Sequence, residues 1–280
     1  MLKIIYTTGL TGFIGHYFLK KIINDYDLVI NFGREKHLTI YQSLGDPVSK
    51  KFSPELLEEF PSDTLFHFAT YYNPNPANIS EERLLEESNF YFPRSLCKVL
   101  KKNGLERIIS TSSYLQLLDS KYKNLYSETK NKFIDWAKSE FEVTEIFLFD
   151  TFGNNDRRGK VLDVFIKNAI SNNDIYIPSK RVEINLTHGD EIADSLITSI
   201  FLKPKKYMIR SNNHLTIKEL AESIVSIEKS STKIKPTLEA NNLIQNIKSF
   251  PENIYVNTLK KNFNEQIKQR YVEIKQTCSI

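Results

Sequence analysis

A tyrosine followed four residues later by a lysine puts a phenol and an ammonium one turn apart on the same helix face. The ammonium stabilises the phenolate, so such a tyrosine passes a proton nearer neutrality than a free phenol does. The chain carries this pattern four times: Tyr17/Lys21, Tyr126/Lys130, Tyr176/Lys180 and Tyr271/Lys275. Position chooses among them. Tyr17 falls in the first helix, just beyond a glycine turn, and Tyr271 stands near the C-terminal tail. Tyr176 has Pro178 inside its turn, so no helix holds that pair. Tyr126 opens a helical pattern soon after an apolar run that ends in Ser110-Thr111-Ser112-Ser113. The C-terminal edge of such a strand is where an open α/β sheet places its site. Tyr126 and Lys130 are the candidate acid/base pair.

The second chemical signal is T-G-L-T-G-F-I-G after the apolar run Leu2–Thr7, with glycines at 9, 12 and 15. A strand-to-helix junction of this kind cradles a diphosphate. Its glycines allow the tight turn and close backbone approach, and the helix start offers free N–H groups. Gly9, Thr11, Gly12, Phe13, Ile14 and Gly15 are therefore candidate dinucleotide contacts. In sites that prefer NAD, an acidic residue about 20 positions further on takes the ribose hydroxyls. Here the second apolar run, Asp27–Phe32, ends in Gly33-Arg34. No carboxylate repels a 2′-phosphate there, and a guanidinium can bind one. This favours NADP(H) over NAD(H). A plain surface arginine is the blander reading of Arg34.

The elements that must position these groups alternate. Strands are expected at Leu2–Thr7, Asp27–Phe32, Leu38–Tyr41, Thr64–Ala69, Arg107–Ser110 and Thr144–Phe149. Helices are expected after the glycines, at Pro54–Phe60, from Ser80 to Asn103 with Gly104 as its C-cap, and at Tyr126–Lys138. Such alternation implies βαβ units, hence an α/β fold with a doubly wound, mostly parallel sheet. Beyond Gly153 the pattern loosens. Helices are expected near Val161–Ser171, Asp190–Phe201 and Thr216–Glu228, the last opened by a Thr216/Glu219 capping box, with strands near Asp174–Ile177 and Lys206–Ile209. The expected division is a dinucleotide-binding domain over 1–152 and a smaller α/β substrate lobe over 153–280, with the chain crossing back near 182–200.

Composition narrows the class. A net charge of +4 on scattered lysines reads as a solvated surface, with no nucleic-acid partner. No run of eighteen apolar residues exists, and Met1–Tyr6 reads as a buried strand instead of a leader. Two distant cysteines, Cys97 and Cys278, build no disulfide framework, which fits the cytoplasm. No metal site is expected.

In order, T-G-L-T-G-F-I-G, TLFHFAT, Ser88-Asn89, IISTSS, Y-S-E-T-K, LFDTFGN, THGDEIADS and LTIKELAESI resemble the extended short-chain dehydrogenase/reductase family, with its Rossmann-like fold. The likeness is greatest to nucleotide-sugar 4-ketoreductases such as the CDP-paratose and CDP-abequose synthases. It implies Ser112 as the hydroxyl orienting the substrate oxygen, with Ser113 as its alternate. Tyr126 becomes the acid/base and Lys130 the ribose-binding partner. It puts Ala69, Thr70 and Asn89 beside the cofactor. Tyr72, Asn73, Asp150, Asn154, Lys160, Val161 and Arg181 would face a nucleotide sugar. It also implies a homodimer through the helices at 80–103 and 126–138. Two positions depart from the family: Ile184 stands where an arginine often binds the diphosphate, with Arg181 out of register, and Asp150 stands where an asparagine is usual.

Sugar 4,6-dehydratases of this family carry Asp-Glu directly after the catalytic hydroxyl, where Ser113-Tyr114 stand here, so dehydration is not expected. A 3,5-epimerase would need a further pair such as Cys and His. Cys97 reads as core, His67 as structural and His188 as ordering a loop. A keto-sugar reductase and a 4-epimerase with tightly held NAD(P) remain, and Gly33-Arg34 favours the reductase. A non-catalytic dinucleotide sensor is the third reading.

Overall fold

The computed structural model describes residues 2–33, 37–212, 215–228, 230–237, 243–255 and 263–278. The first half runs β1 (Ile4–Thr8), α1 (Phe13–Ile22), β2 (Leu28–Phe32), β3 (His37–Tyr41), β4 (Val48–Lys51), α2 (Pro54–Glu58) and β5 (Thr64–His67). Then come α3 (Ile79–Glu86), α4 (Phe92–Lys102), β6 (Arg107–Ser113), α5 (Leu125–Lys138) and β7 (Glu142–Leu148). β1, β2, β5, β6 and β7 pair in parallel, in the order β7-β6-β5-β1-β2. Their near-continuous apolar sequences follow from burial on both faces. Tyr6, Ile30, Leu65 and Ile108 face α4 and α5. Ile5, Val29, Phe66 and Ile109 face α1 and its neighbour on that side. The link from β2 to β3 is too short for a crossover, so β3 and then β4 join antiparallel. Every residue of β4 is exposed, and its Lys50 and Lys51 guard the sheet edge.

The second half continues with β8 (Asp150–Phe152), α6 (Val161–Ile170), β9 (Ile175–Pro178), β10 (Glu183–Ile184), β11 (Leu186–His188) and α7 (Gly189–Thr198). It ends with β12 (Lys206–Arg210), β13 (Leu215–Thr216), α8 (Ile217–Glu228), β14 (Ile234–Thr237), β15 (Glu252–Tyr255) and α9 (Phe263–Cys278). α7 packs on α1, burying Ile192 and Leu196 against Phe18 and Ile22. β12 and β15 lengthen the main sheet beyond β7, giving nine strands among the described residues. The remaining pieces build a second core from Leu162, Phe165 and Ile166 of α6, Leu220 and Ile224 of α8, and Ile267, Tyr271 and Ile274 of α9. Tyr271, expected near a tail, is thus buried inside a helix. The Thr216/Glu219 capping box is present, with Glu219 N–H donating to Thr216 Oγ1 at 3.1 Å and Thr216 N–H to Glu219 Oε2 at 2.7 Å.

The helix expected over 80–103 is interrupted. Between α3 and α4 lies one π-helical turn, Glu87–Tyr91. Pro93 has no N–H to give to the carbonyl four residues back, at Asn89, so the regular ladder cannot run through. Among the described residues no helix is long and apolar enough to cross a membrane. Among them, too, no His/Cys/Asp/Glu group is arranged to hold a metal.

Candidate active site

β1 ends at Thr8, and the chain turns at Gly9 with φ +76°, a conformation that favours glycine. A Cβ there would lie 2.6 Å from the Ala69 backbone nitrogen, so the turn also needs the missing side chain. Gly12 is the N-cap of α1, and a Cβ on it would meet only Gly9 O at 3.2 Å; the added atom would otherwise stand in the cleft. Thr8 Oγ1 lies 2.8 Å from His67 Nδ1 and accepts from Ala69 N–H at 3.2 Å, which locks the ends of β1 and β5 together. Burial, and then the nearby Lys130 cation, press the His67 pKa down to about 3, so this imidazole is neutral and structural. The end of β2 presents Asn31, Phe32 and Gly33 to the cleft, without a carboxylate. Arg34 lies outside the described residues. These features fit a nicotinamide dinucleotide laid across the turn.

The cleft above the C-terminal ends of the strands has a volume of about 1420 Å³. α5 starts with a capping box: Asn124 Oδ1 accepts from Ser127 N–H at 3.0 Å and Ser127 Oγ accepts from Asn124 N–H at 3.1 Å. This fixed start sets Tyr126 and Lys130 on the wall of the cleft, both buried. Burial pushes the Tyr126 phenol well above its ordinary value, opposed by a hydrogen bond with Thr70. Burial also lowers the Lys130 pKa to about 8, opposed by the Glu145 carboxylate. Tyr72 meets Tyr126 edge-on with ring centroids 5.0 Å apart, and Lys160 Nζ sits 4.0 Å from the centre of the Tyr72 ring.

Three hydroxyls end β6, and the pleat separates them: Thr111 and Ser113 share one face, Ser112 the other. Ser112 Oγ donates to the buried Glu145 Oε1 at 3.0 Å. Gln116 Nε2 and Lys138 Nζ approach the same carboxylate, at 3.5 and 3.0 Å. Ser113 Oγ accepts from Leu115 N–H at 3.3 Å. Thr111 Oγ1 reaches the His67 carbonyl at 3.3 Å, a long bond. All three residues line the cleft.

The opposite wall comes from the second half. Asp150 lies near Lys160 and Arg158, and its burial raises its pKa to about 6 despite those cations. Asn154 lines the cleft, and its carbonyl accepts from Tyr17 Oη at 3.2 Å, tying α1 to this wall.

Four expected contacts stand elsewhere. Asn89, on the π turn, acts from behind: its Oδ1 accepts from Thr70 Oγ1 at 3.0 Å and Tyr71 N–H at 2.9 Å, holding the segment that faces the cleft. Its neighbour Ser88 reaches the cleft instead. Asn73 Nδ2 donates to Glu81 Oε2 at 2.8 Å and orders its own loop. Val161 begins α6 and packs against the second core. Arg181 is largely exposed beside Glu183, 3.5 Å away, and does not line the cleft. Conversely, Thr111, Tyr114, Arg157 and Arg158 line it without having been anticipated. The signal for the arginines was present: they sit in a polar loop following a strand end, N-N-D-R-R-G.

Residues 5–199 match the NAD dependent epimerase/dehydratase family. The chain belongs to that family, and the expected Rossmann-like α/β fold and enzyme class stand with it. A CDP-abequose synthase of Yersinia pseudotuberculosis is 25% identical over 226 residues, which cover 74% of this chain and 73% of that one. Among solved structures, the UDP-glucose 4-epimerase of Thermotoga maritima, with UDP-glucose, superposes with a TM-score of 0.71 at 14% identity, covering 98% of this chain and 99% of that one. RMD from Pseudomonas aeruginosa, complexed with NADPH, gives 0.71 at 13% identity with the same coverage.

Proposed function

We propose that the protein reduces the carbonyl of a nucleotide-linked 4-keto-6-deoxy sugar with NADPH. The observation that carries this reading is that Tyr126, Lys130 and the glycine turn open on one cleft. The likeness to a CDP-abequose synthase supports a nucleotide-sugar substrate. The end of β2, free of acidic side chains through Gly33 and followed in sequence by Arg34, supports the phosphorylated cofactor. In this reading residues 1–152 bind the dinucleotide and the lobe built after 153 binds the sugar nucleotide.

NADPH, when bound, supplies the hydride. Tyr126 then gives its phenolic proton to the forming alkoxide, and the Lys130 ammonium supports the phenolate left behind. A second hydrogen bond to the alkoxide must come from a hydroxyl with a hydrogen to give. Ser112 gives its hydrogen to Glu145 and Thr111 gives its own to the His67 carbonyl, so the role passes to Ser113, whose Oγ only accepts, from Leu115 N–H. Burial of Tyr126 and Lys130 excludes water, which strengthens each of these interactions.

Purified protein given a panel of nucleotide-linked 4-keto-6-deoxy sugars should consume NADPH stoichiometrically with one of them, and NADH more slowly. Conversion of a saturated nucleotide sugar to its 4-epimer without net cofactor loss would replace the reductase by an epimerase.

A further inference from the structure

The loop between β8 and α6 holds an arginine prepared for a ligand. Arg158 Nε donates to Asp156 Oδ1 at 2.8 Å, and Nη2 donates to Asp156 Oδ2 at 2.7 Å and to the Thr151 carbonyl at 3.1 Å. Its guanidinium carbon lies 4.1 Å from the centre of the Phe13 ring, at the first residue of α1 after the glycine turn. Nη1 carries no bond to protein among the described residues, and the side chain lines the cleft.

The support behind it is unusually firm for a loop. The Asp156 carboxylate is almost fully buried. The Asp156 carbonyl accepts from Arg270 Nη2 of α9 at 2.6 Å, and Arg270 is itself held by both Asp163 oxygens, at 2.9 and 2.8 Å. Asn155 N–H donates to Glu273 Oε1 at 2.7 Å. The C-terminal helix thus fixes the loop, the loop fixes Asp156, and Asp156 fixes the guanidinium plane. A guanidinium held over an aromatic ring, beside a glycine turn whose backbone can take a phosphate, suits a phosphate oxyanion.

We infer that Arg158 is a diphosphate clamp, closing over the glycine turn from the second lobe. This rests on the reading of the cleft as a dinucleotide and nucleotide-sugar site. Either ligand carries a diphosphate; contact with Phe13 favours that of the dinucleotide. Once bound, the diphosphate would join the two lobes through one side chain.

The test is binding, measured without turnover. NADPH fluorescence titration and calorimetry with CDP and UDP are run on the wild type, Arg158→Gln and Arg158→Lys, with melting curves to verify folding. Arg158→Gln should weaken NADPH binding roughly tenfold or more. It should also flatten the salt dependence of binding, which a packing role would not do. Arg158→Lys keeps the charge beside Asp156 but loses the fork, and should lose several-fold. It decides the matter if the glutamine variant does not fold. Weakened CDP or UDP binding with unchanged NADPH binding would keep the clamp and assign it to the sugar nucleotide. A folded variant that binds NADPH, CDP and UDP as the wild type does would overturn the clamp. A wild type that binds no nicotinamide dinucleotide would instead overturn the reading on which it rests.

Discussion

Ser112 donates a 3.0 Å hydrogen bond to Glu145, a carboxylate buried between the sheet and α5. Glu145 also takes Lys138 Nζ at 3.0 Å and opposes the desolvation of Lys130. Ser112, the hydroxyl expected to orient the substrate oxygen, thus lines the cleft with its own hydrogen given to this carboxylate. Ser112→Ala should chiefly lower stability, by about 1–3 kcal/mol, since it strips a donor from a buried charged acceptor. Thr111 and Ser113 lie on the other face, and because Thr111 donates to the His67 carbonyl, the larger loss of kcat should fall on Ser113→Ala, on the order of 10²-fold, and not on Thr111→Val. Melting temperatures and kcat for the three variants check this. A loss of kcat confined to Ser112→Ala, with stability unchanged, contradicts it.

Lys130 is held in a place that disfavours its charge. Its folded pKa of about 8 lies below the ordinary 10.5. Between these values the unfolded chain binds more protons than the folded one, so stability rises with pH across that window. At pH 7 both states are charged and the folded protein carries the whole cost. Lys130→Met should raise stability at pH 7 by up to about 3 kcal/mol while abolishing turnover. It should also remove the rise between pH 8 and 10. Thermal melts against pH, beside an activity assay, read both effects.

Asp150 runs the other way. Its folded pKa of about 6 exceeds the ordinary 3.8. Between them the folded protein holds a proton that the unfolded chain has released. Stability is therefore greater below pH 4 than this group allows at neutrality, and it falls as pH rises through 6. Asp150→Asn should flatten that segment of the stability profile. Near pH 6 the wild-type KM for the sugar substrate should vary with pH and that of the variant should not.

Much of this was legible in the chain. The glycine turn, the alternation up to β7 and the Tyr126/Lys130 helix follow from local pattern, and each strand end brings its polar residues to the same edge. What escaped depended on packing over long range. β8 is three residues long and exists because β11 pairs with it. α9 has Ile267, Tyr271 and Ile274 at helical spacing, but its weight comes from the second core it completes. The π turn needed attention to Pro93, which has no N–H to give to the carbonyl four residues back. The strand hydroxyls needed a parity that only the register of β6 supplies. The role of Arg158 depends on Phe13 and Asp156, which only the folded chain brings around it.

Transfer of hydride to a sugar carbonyl is tested most directly with NADPH carrying deuterium at both nicotinamide C4 positions, mixed with the keto-sugar nucleotide that wild-type protein consumes. One deuterium should appear at the sugar C4 for each NADPH oxidised, and Tyr126→Phe should still bind NADPH yet give neither product nor label. Deuterium absent from the sugar, or full turnover by Tyr126→Phe, would contradict the account.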